Sequence, residues 1–337
     1  MKSLILVTLL LATAAMLPAA RNLEIFSIDV EGGQATLFVS PSGESMLVDT
    51  GWAGFFKRDA DRIVAAAKLG GVKKIDYLVI THYHADHVGG VQQLAGKMPI
   101  VNFVDHGANT ETVDKADVVR FNEYSAFRDK GKHILVKPGD TIPIKGLDVK
   151  VLSSNGDLIA APLPGAGQPN PACQGVAQPA ADTTENARCV GMMITYGSFR
   201  IIDMGDLTKD KDYQLACPVN KIGTVDVYLV SHHGLDESGS APFVRALQPR
   251  VAIMNNGARK GGSVEVFQTL HSTPGLVDLW QLHYAIAAGK ENNSNDTFIA
   301  NTEEVCEGKW IKLQAEKDGS FKVFNSRNKF EKAYAKK

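Results

Sequence analysis

The stretch THYHADHVGG, residues 81–90, contains three imidazoles and a carboxylate: His82, His84, Asp86 and His87. In a loop after a strand, alternate residues can point the same way, so His82 and His84 can bind one ion. Asp86 and His87 then project towards a neighbouring position. Imidazole and carboxylate suit Zn²⁺ and, with more oxygen ligands, Mn²⁺ or iron. Two ions about 3.5–4 Å apart would hold a bridging hydroxide, which is a strong nucleophile at neutral pH.

A second stretch repeats part of this pattern. The sequences DYLVITHYH and DVYLVSHHG both run from aspartate through an apolar, strand-like segment to Thr or Ser and then to histidine. This similarity predicts two strand-to-loop junctions that face one site. The alternative interpretation is a polar loop whose histidines are satisfied by ordinary hydrogen bonds, and the density of imidazole and carboxylate groups argues against it.

The predicted strands and helices around these residues belong to a globular chain. Of its 337 residues, 44% are hydrophobic and 22% are charged, so the chain can bury a sizeable core. The formal net charge of −1 provides no global basic field that would recruit nucleic acid or an anionic membrane. No protein partner is evident from the sequence.

The first twenty residues resemble a secretory signal peptide. Lys2 gives a short positive region, residues 4–11 are apolar, and an Ala-rich end suits cleavage. We therefore expect a secreted or periplasmic protein, with an uncleaved N-terminal anchor as the alternative. No second hydrophobic stretch is long enough to span a bilayer, so we expect no stable membrane span after cleavage.

Strand and helix patterns alternate in both halves and predict one α/β domain over residues 21–337. RDADRIVAAAKLGG reads as an amphipathic helix with a glycine stop, and Asp318-Gly319 predicts a hairpin. Residues 157–188 are rich in Pro, Gly and Ala and read as an insertion that is a lid, a binding loop or disordered. Four cysteines permit two disulfides in an exported protein, and the first expected pair is Cys173 with Cys189.

THYHADHVGG resembles the signature motif of the metallo-β-lactamase superfamily, whose fold is a four-layer αββα sandwich. LVDTG, IIDMGDL and LVSHHG resemble three further motifs of that superfamily. DVEGGQATL and ENARCVGMMITYGSFRIIDMGD are similar to the hydrolase domain of ComEC-type competence proteins. The resemblance covers about residues 23–260.

The resemblance implies a ligand set for two ions. Asp49 would orient the histidine loop by hydrogen bonding, and Asp203 is a rival to the bridging acid that lies within a strand pattern. His232 is preferred as a ligand because it matches the register of His82, while His233 could line the substrate pocket or exchange roles with it. The implied ligands are His82 and His84 for the first metal, Asp86, His87 and His232 for the second, and Asp206 as the bridge.

One part of the superfamily pattern is missing. Many members have a third histidine for the first metal, and here the corresponding strand entry offers Asn186 instead. His106 could supply a ligand or contact substrate, or be an ordinary loop histidine. Asn255 could hydrogen-bond a substrate or belong to an Asn-Asn-Gly turn. Arg259 and Lys260 could bind a phosphate, but a solvated basic turn is the preferred interpretation and leaves them outside the predicted site.

These features predict an exported binuclear metallohydrolase in which Asp86, Asp206 and Asp49 serve catalysis. The cofactors would be two divalent ions, with zinc favoured and manganese possible. The ComEC-like resemblance implies a phosphodiester substrate, which could be nucleic acid, a nucleotide or a small phosphodiester. Two alternatives remain: a lactam, lactone or thioester hydrolase of the same fold, and a non-catalytic member that binds metal or ligand.

Overall fold

The computed structural model describes residues 22–337, so the expected signal peptide lies outside the described residues. Its strands, in chain order, are β1 (Leu23–Ser27), β2 (Thr36–Val39), β3 (Ser45–Val48), β4 (Ile75–Val79), β5 (Ile100–Asp105), β6 (Lys132–Leu135), β7 (Thr141–Ile142), β8 (Asp148–Ser154), β9 (Asp157–Leu158), β10 (Gln168–Pro169), β11 (Gly191–Tyr196), β12 (Phe199–Asp203), β13 (Val219–Asn220), β14 (Val227–Leu229), β15 (Val251–Met254), β16 (Asp278–His283), β17 (Ile299–Asn301), β18 (Ile311–Ala315), β19 (Phe321–Asn325) and β20 (Glu331–Tyr334).

The helices are fewer and mostly short. They are α1 (Arg58–Leu69), α2 (Ala85–Val88), α3 (Val91–Ala95), α4 (Lys115–Arg128), α5 (Lys209–Ala216), α6 (Ala241–Leu247) and α7 (Val264–His271). Within residues 22–337, none of the helices has the length and apolar character needed to cross a bilayer.

The strands form two large mixed sheets. The first has the order β20-β19-β18-β1-β2-β3-β4-β5-β6, and the second has the order β17-β16-β15-β14-β12-β11-β8-β7, with β9 paired to β8. β3, β4 and β5 run parallel in the first sheet, and β12, β14, β15 and β16 run parallel in the second. Parallel neighbours end at the same edge, so the loops that follow them can share one site.

Three hydrophobic cores define four layers. The central core joins inward residues of both sheets, among them Val48 and Val79 from the first and Val151 from the second. The outer face of the first sheet packs against α1 and α4, and that of the second packs against α5, α6 and α7. The predicted αββα sandwich is therefore confirmed.

Helix α1 shows how the sequence specifies these layers. Its buried residues Ala60, Ile63, Ala66 and Ala67 recur at spacings of three and four, so they form one apolar face against the first sheet. The helix ends at Leu69 before Gly70, as the sequence predicted. The predicted C-terminal hairpin is also present, as the antiparallel pair β18–β19.

The expected Cys173–Cys189 disulfide is wrong, because Cys173 is bonded to Cys217. Cys189 is instead a fully buried free thiol in the core beneath the outer helices of the second sheet. The bond that forms fastens the Pro/Gly-rich segment to the end of α5, where β10 also pairs with β13. Near the other end of this segment, the Glu185 carboxylate contacts His106, which follows β5.

Candidate metal centre

The two similar strand-to-loop junctions meet in the structure. β4 leads into His82, and β14 leads into His232 and His233. The Nε2 atoms of His87 and His233 lie 3.2 Å apart although the residues are 146 positions apart in the chain. The sequence interpretation that both junctions face one site therefore agrees with the geometry.

Four buried side chains, here called the acid–histidine cluster, have ligand atoms within 4.8 Å of one another: Asp86, His87, Asp206 and His233. Oδ2 of Asp206 lies 3.1 Å from Nε2 of His87 and 3.4 Å from Nε2 of His233. Oδ2 of Asp86 lies 3.3 Å and 3.1 Å from the same two nitrogens. Two carboxylates and two imidazoles that converge in this way form a donor set suited to a divalent ion.

The structure groups His233, and not His232, with Asp86 and His87, which reverses the order of preference based on strand register. Nε2 of His232 lies 3.4 Å from Oδ2 of Asp206, and its Nδ1 lies 3.3 Å from Oγ of Ser238. Both histidines have left-handed backbones, with φ of 52° and 55°. Strand alternation therefore stops before this pair, and the register argument fails because it assumed extended backbone.

The two histidines predicted for the first metal are less well organised. His82 is fully buried, and its Nε2 lies 3.9 Å from Oδ2 of Asp206. His84 is partly exposed, and its Nε2 instead lies 3.0 Å from Oε2 of Glu111. The rings of His82 and His84 pack edge to face with centroids 4.6 Å apart. The two rings are thus neighbours, but His84 is paired with a carboxylate outside the acid–histidine cluster.

Asp49 contacts both ends of the histidine loop. Its Oδ1 accepts the backbone N–H of Thr81 at 2.8 Å, and its Oδ2 accepts the Thr81 hydroxyl at 2.7 Å. Oδ2 also lies 2.7 Å from Nδ1 of His87. This arrangement is the one expected of a carboxylate that orients a ligand histidine.

Burial and mutual charge set the protonation of the cluster. Burial alone would raise the pKa of Asp206, but His87 and His233 outweigh it and hold that pKa well below the usual value. Burial would lower the pKa of His87, but Asp206 and Asp86 raise it well above the usual value. Burial keeps the pKa of the His82 imidazole well below its usual value, so this ring is neutral and free to donate a lone pair.

The polar atoms left over fit a metal ion. His82 Nε2, Asp206 Oδ1 and Asn186 Oδ1 are buried and make no hydrogen bond. A buried polar atom without a partner costs about 1–3 kcal/mol. His82 Nε2 and Asp206 Oδ1 belong to neighbouring side chains, and an imidazole nitrogen beside a carboxylate oxygen suits a divalent cation.

The remaining predicted residues have other partners. Nε2 of His106 lies 2.7 Å from Oε1 of Glu185 in a buried pair. The Asn255 side-chain amide donates to Oε1 of Gln34 at 3.3 Å. Gln34 in turn donates to Asp203, at 3.0 and 2.8 Å, so Asp203 faces the glutamine. Neither His106 nor Asn255 is hydrogen-bonded to the acid–histidine cluster.

Lys260 is a neighbour of the cluster that the sequence interpretation left out. Its ammonium group pairs with the Asp86 carboxylate and lies 5.1 Å from the ring centre of Trp52. Close approach at Gly32 allows this, since a Cβ there would lie 2.9 Å from Cβ of Lys260. Arg259 is exposed and pairs with Glu304, as a solvated basic turn would. The only signal in the sequence was the pair of glycines that follows Lys260.

Comparison with known proteins agrees with this geometry. Residues 28–167 match the family described as the Metallo-beta-lactamase superfamily. This part of the chain, somewhat less than half of it, is similar to the metallo-β-lactamase superfamily. This match covers the histidine loop, and the second half of the cluster lies beyond it.

Two curated relatives and one solved structure illustrate the similarity. The chain is 26% identical over 249 residues to ComE operon protein 3 of Bacillus subtilis (strain 168), which covers 69% of this chain and 28% of that protein. It is 33% identical over 101 residues to a hydroxyacylglutathione hydrolase of Rhodopseudomonas palustris (strain HaA2), covering 30% of this chain and 32% of that one. The chain thus spans about a third or less of the length of either relative.

Among solved structures, the metallo-beta-lactamase fold protein YhfI from Bacillus subtilis aligns with a TM-score of 0.46 and 15% identity, covering 77% of this chain and 96% of that chain. The predicted resemblance to the superfamily and to a competence-operon protein is confirmed by the sequence matches.

Proposed function

We propose that this chain is an exported metal-dependent hydrolase that cleaves phosphodiesters with the help of two divalent ions. One observation supports it most strongly. Oδ2 of Asp206 lies within hydrogen-bond or ion-pair distance of four imidazole nitrogens, on His82 (3.9 Å), His87 (3.1 Å), His232 (3.4 Å) and His233 (3.4 Å). A carboxylate shared by imidazoles on two sides is what a bridging ligand between two ions requires.

The donor set divides into two groups. In the proposal, Asp86, His87 and His233 hold one ion, His82 and His84 hold the other, and the Asp206 carboxylate is shared between them. His84 would exchange its Glu111 partner for the ion. Zinc suits these imidazole and carboxylate donors, and manganese is the second choice. When bound, such ions would lower the pKa of a water molecule and polarise the oxygen of the scissile bond.

Asn186 is the proposed substitute for the missing third histidine. It begins a short 3-10 turn, Asn186–Arg188, that ends shortly before β11. Its side-chain oxygen Oδ1 is buried and makes no hydrogen bond. An amide oxygen is a weaker ligand for zinc than imidazole, so we expect the ion held by His82 and His84 to be the more loosely bound of the two.

Two other side chains would act on the substrate. Oδ1 of Asp206 is a buried acceptor without a partner, so it can accept a hydrogen bond from the attacking water and orient it. The Lys260 ammonium beside Asp86 places a positive charge at the edge of the acid–histidine cluster. That charge would stabilise the anionic oxygen of a phosphodiester.

The longer of the two sequence matches favours a phosphodiester substrate over a thioester. The similarity to ComE operon protein 3, a competence-operon protein, extends over 249 residues and 69% of this chain. A second candidate is thioester hydrolysis, because a hydroxyacylglutathione hydrolase matches at 33% identity. That match covers 101 residues, less than half the span of the first, and so supports the thioester less broadly.

The test compares substrates and variants. Protein stripped of metal and reloaded with Zn²⁺ or Mn²⁺ is assayed on bis(p-nitrophenyl) phosphate, S-lactoylglutathione and nitrocefin. We expect hydrolysis of the phosphodiester, and a loss of about a hundredfold or more in kcat for Asp206→Asn. Asp203→Asn is the matched control, because Asp203 is equally buried but faces Gln34. Hydrolysis of the thioester alone, or equal losses in both variants, would contradict the proposal.

Export is tested separately. Mass spectrometry of the chain produced in a Gram-negative host should find a mature N-terminus near residue 21 in the periplasmic or secreted fraction. An intact N-terminus retained in membranes would instead indicate an anchor.

A further inference from the structure

A second group of donors lies outside the acid–histidine cluster. Asp29 and Glu31 follow β1, His283 ends β16, and Cys306 lies between β17 and β18. The ligand atoms of these four side chains, here called the thiol cluster, all lie within 4.8 Å of one another. Three distant segments therefore place a thiol, an imidazole and two carboxylates around one point.

The distances within the thiol cluster are short. Sγ of Cys306 lies 3.2 Å from Oδ2 of Asp29 and 3.3 Å from Oε1 of Glu31. Nε2 of His283 lies 2.8 Å from Oδ1 of Asp29 and 3.5 Å from Oε2 of Glu31. Sγ of Cys306 and Nε2 of His283 are 4.0 Å apart. The thiol and the imidazole thus approach both carboxylates from different sides.

The thiol cluster is accessible from solvent. Glu31 and Cys306 line a surface cavity of about 550 Å³, whereas Asp29 and His283 are fully buried behind them. Cys306 is a free thiol and partly exposed. An ion can therefore enter from the cavity and reach the buried donors without unfolding the strands that carry them.

Arg62 sets the charge of the thiol cluster. Its Nη1 lies 2.9 Å from Oδ2 of Asp29 and 3.1 Å from Oε1 of Glu31. With a thiolate at Cys306, the three acidic groups carry three negative charges. A divalent ion and the Arg62 guanidinium offset them in full. Arg62 alone offsets one of these three charges.

We propose that the thiol cluster binds a thiophilic divalent ion of the Zn²⁺ class, separately from the acid–histidine cluster. Sulfur, imidazole nitrogen and carboxylate oxygen are the ligand types of zinc sites, and four protein ligands are the usual number for a structural site. Binding releases the Cys306 proton, because the thiolate is the ligand. The Arg62 guanidinium remains as the neighbouring counter-charge. This inference does not depend on the proposed hydrolase activity.

The two clusters are joined by one short turn. The backbone N–H of Gln34 donates to the backbone carbonyl of Asp86 at 3.1 Å. A Cβ on Gly33 would lie 2.4 Å from that same carbonyl oxygen, so the turn packs directly on the acid–histidine cluster. An ion held by Asp29 and Glu31 would therefore fix the turn that supports Asp86.

Cobalt titration tests the site by a signal that only a thiolate ligand gives. We expect metal-free protein to develop the near-ultraviolet thiolate-to-Co²⁺ charge-transfer absorption, and Cys306→Ser to lose it. Cys189→Ser is the matched control and should keep it, since Cys189 is the other free thiol. Absence of the absorption in the unsubstituted protein, or its persistence in Cys306→Ser, would overturn the proposal.

A second measurement needs no substitution at the cysteine. Excess Zn²⁺ should protect Cys306 of the unsubstituted protein from alkylation by iodoacetamide, as mapped by peptide mass spectrometry, with at least a tenfold reduction in rate. His283→Gln should lose this protection while the metal content of the acid–histidine cluster is retained. Equal alkylation rates with and without Zn²⁺ would rule the site out.

Discussion

Nδ1 of His87 lies 2.7 Å from Oδ2 of Asp49, and both side chains are fully buried. A carboxylate accepts hydrogen bonds, so this contact places the imidazole proton on Nδ1. Nε2 then faces Asp206 and His233, and in the neutral ring it would offer its lone pair to an ion. Asp49 thereby links the first strand junction to the acid–histidine cluster.

Asp49→Asn should weaken metal binding while leaving the fold intact. The side-chain amide can donate as well as accept, so it no longer enforces the Nδ1 tautomer of His87. We expect metal affinity to fall by about 10–100-fold, measured by chelator competition. Asp105→Asn is the matched control, because Asp105 is a buried carboxylate paired with Tyr124 and His133. Equal affinities of the two variants would contradict the orienting role.

The contacts of His233 and His232 predict which of the two substitutions removes more bound metal. His233→Ala removes the nitrogen that contacts both Asp86 and Asp206, at 3.1 and 3.4 Å. His232→Ala removes a nitrogen with one such contact, to Asp206 at 3.4 Å. Metal analysis should therefore show a loss of about one equivalent per chain for His233→Ala and a smaller loss for His232→Ala. The reverse order would restore the assignment based on strand register.

Lys260→Gln should strengthen metal binding and weaken the binding of an anionic substrate. Its ammonium pairs with the Asp86 oxygen that also faces His87 and His233, so it competes with a metal for that oxygen. Without it, metal should bind more tightly. KM for an anionic phosphodiester should rise by about tenfold, because a charge-assisted hydrogen bond contributes about 1.5–3 kcal/mol.

The matched control for Lys260→Gln is Arg259→Gln, which removes an adjacent exposed charge paired with Glu304. Metal titration and steady-state kinetics on both variants separate a local effect from a general electrostatic one. Identical behaviour of the two variants would place Lys260 outside the site.

The sequence revealed the local features well. The histidine loop, helix α1 and the β18–β19 hairpin all follow from residue spacing and turn chemistry within short windows. What it did not reveal depends on contacts across the fold. Lys260 meets Asp86 at a separation of 174 residues, and His283 meets Asp29 at 254. Pairings at such distances are set by sheet packing, and no periodicity in a single chain encodes them.

The sequence did not indicate the grouping of His233 with Asp86 and His87, for a local reason. Two consecutive non-glycine residues with positive φ are uncommon, and the sequence SHHG gave no sign of them. Asn186 illustrates the opposite case. The sequence marked it as the departure from the superfamily pattern, and the structure shows its buried, unpaired oxygen.

Asp212 is a buried acid away from both clusters, and its effect on the pH dependence of folding stability can be measured without metal. Asp212 lies in α5 and is fully buried, and its Oδ2 accepts the backbone N–H of Gly239 at 2.7 Å. Its other oxygen, Oδ1, makes no hydrogen bond. Burial raises the pKa of the Asp212 carboxyl from 3.8 to about 8. The folded protein therefore keeps this proton at neutral pH.

The unfolded chain loses the Asp212 proton near pH 4, whereas the folded chain holds it until about pH 8. Between these values the unfolded state binds fewer protons, so the stability contributed by this group falls as pH rises. Asp212→Asn removes this titrating group. The free energy of unfolding of the natural chain minus that of the variant should fall by about 3 kcal/mol between pH 5 and pH 8. Denaturant unfolding in the presence of chelator measures this difference. Parallel stability curves for the two proteins would show that Asp212 is ionised in the folded state, because an ionised carboxylate would titrate alike in both states and leave no pH-dependent difference.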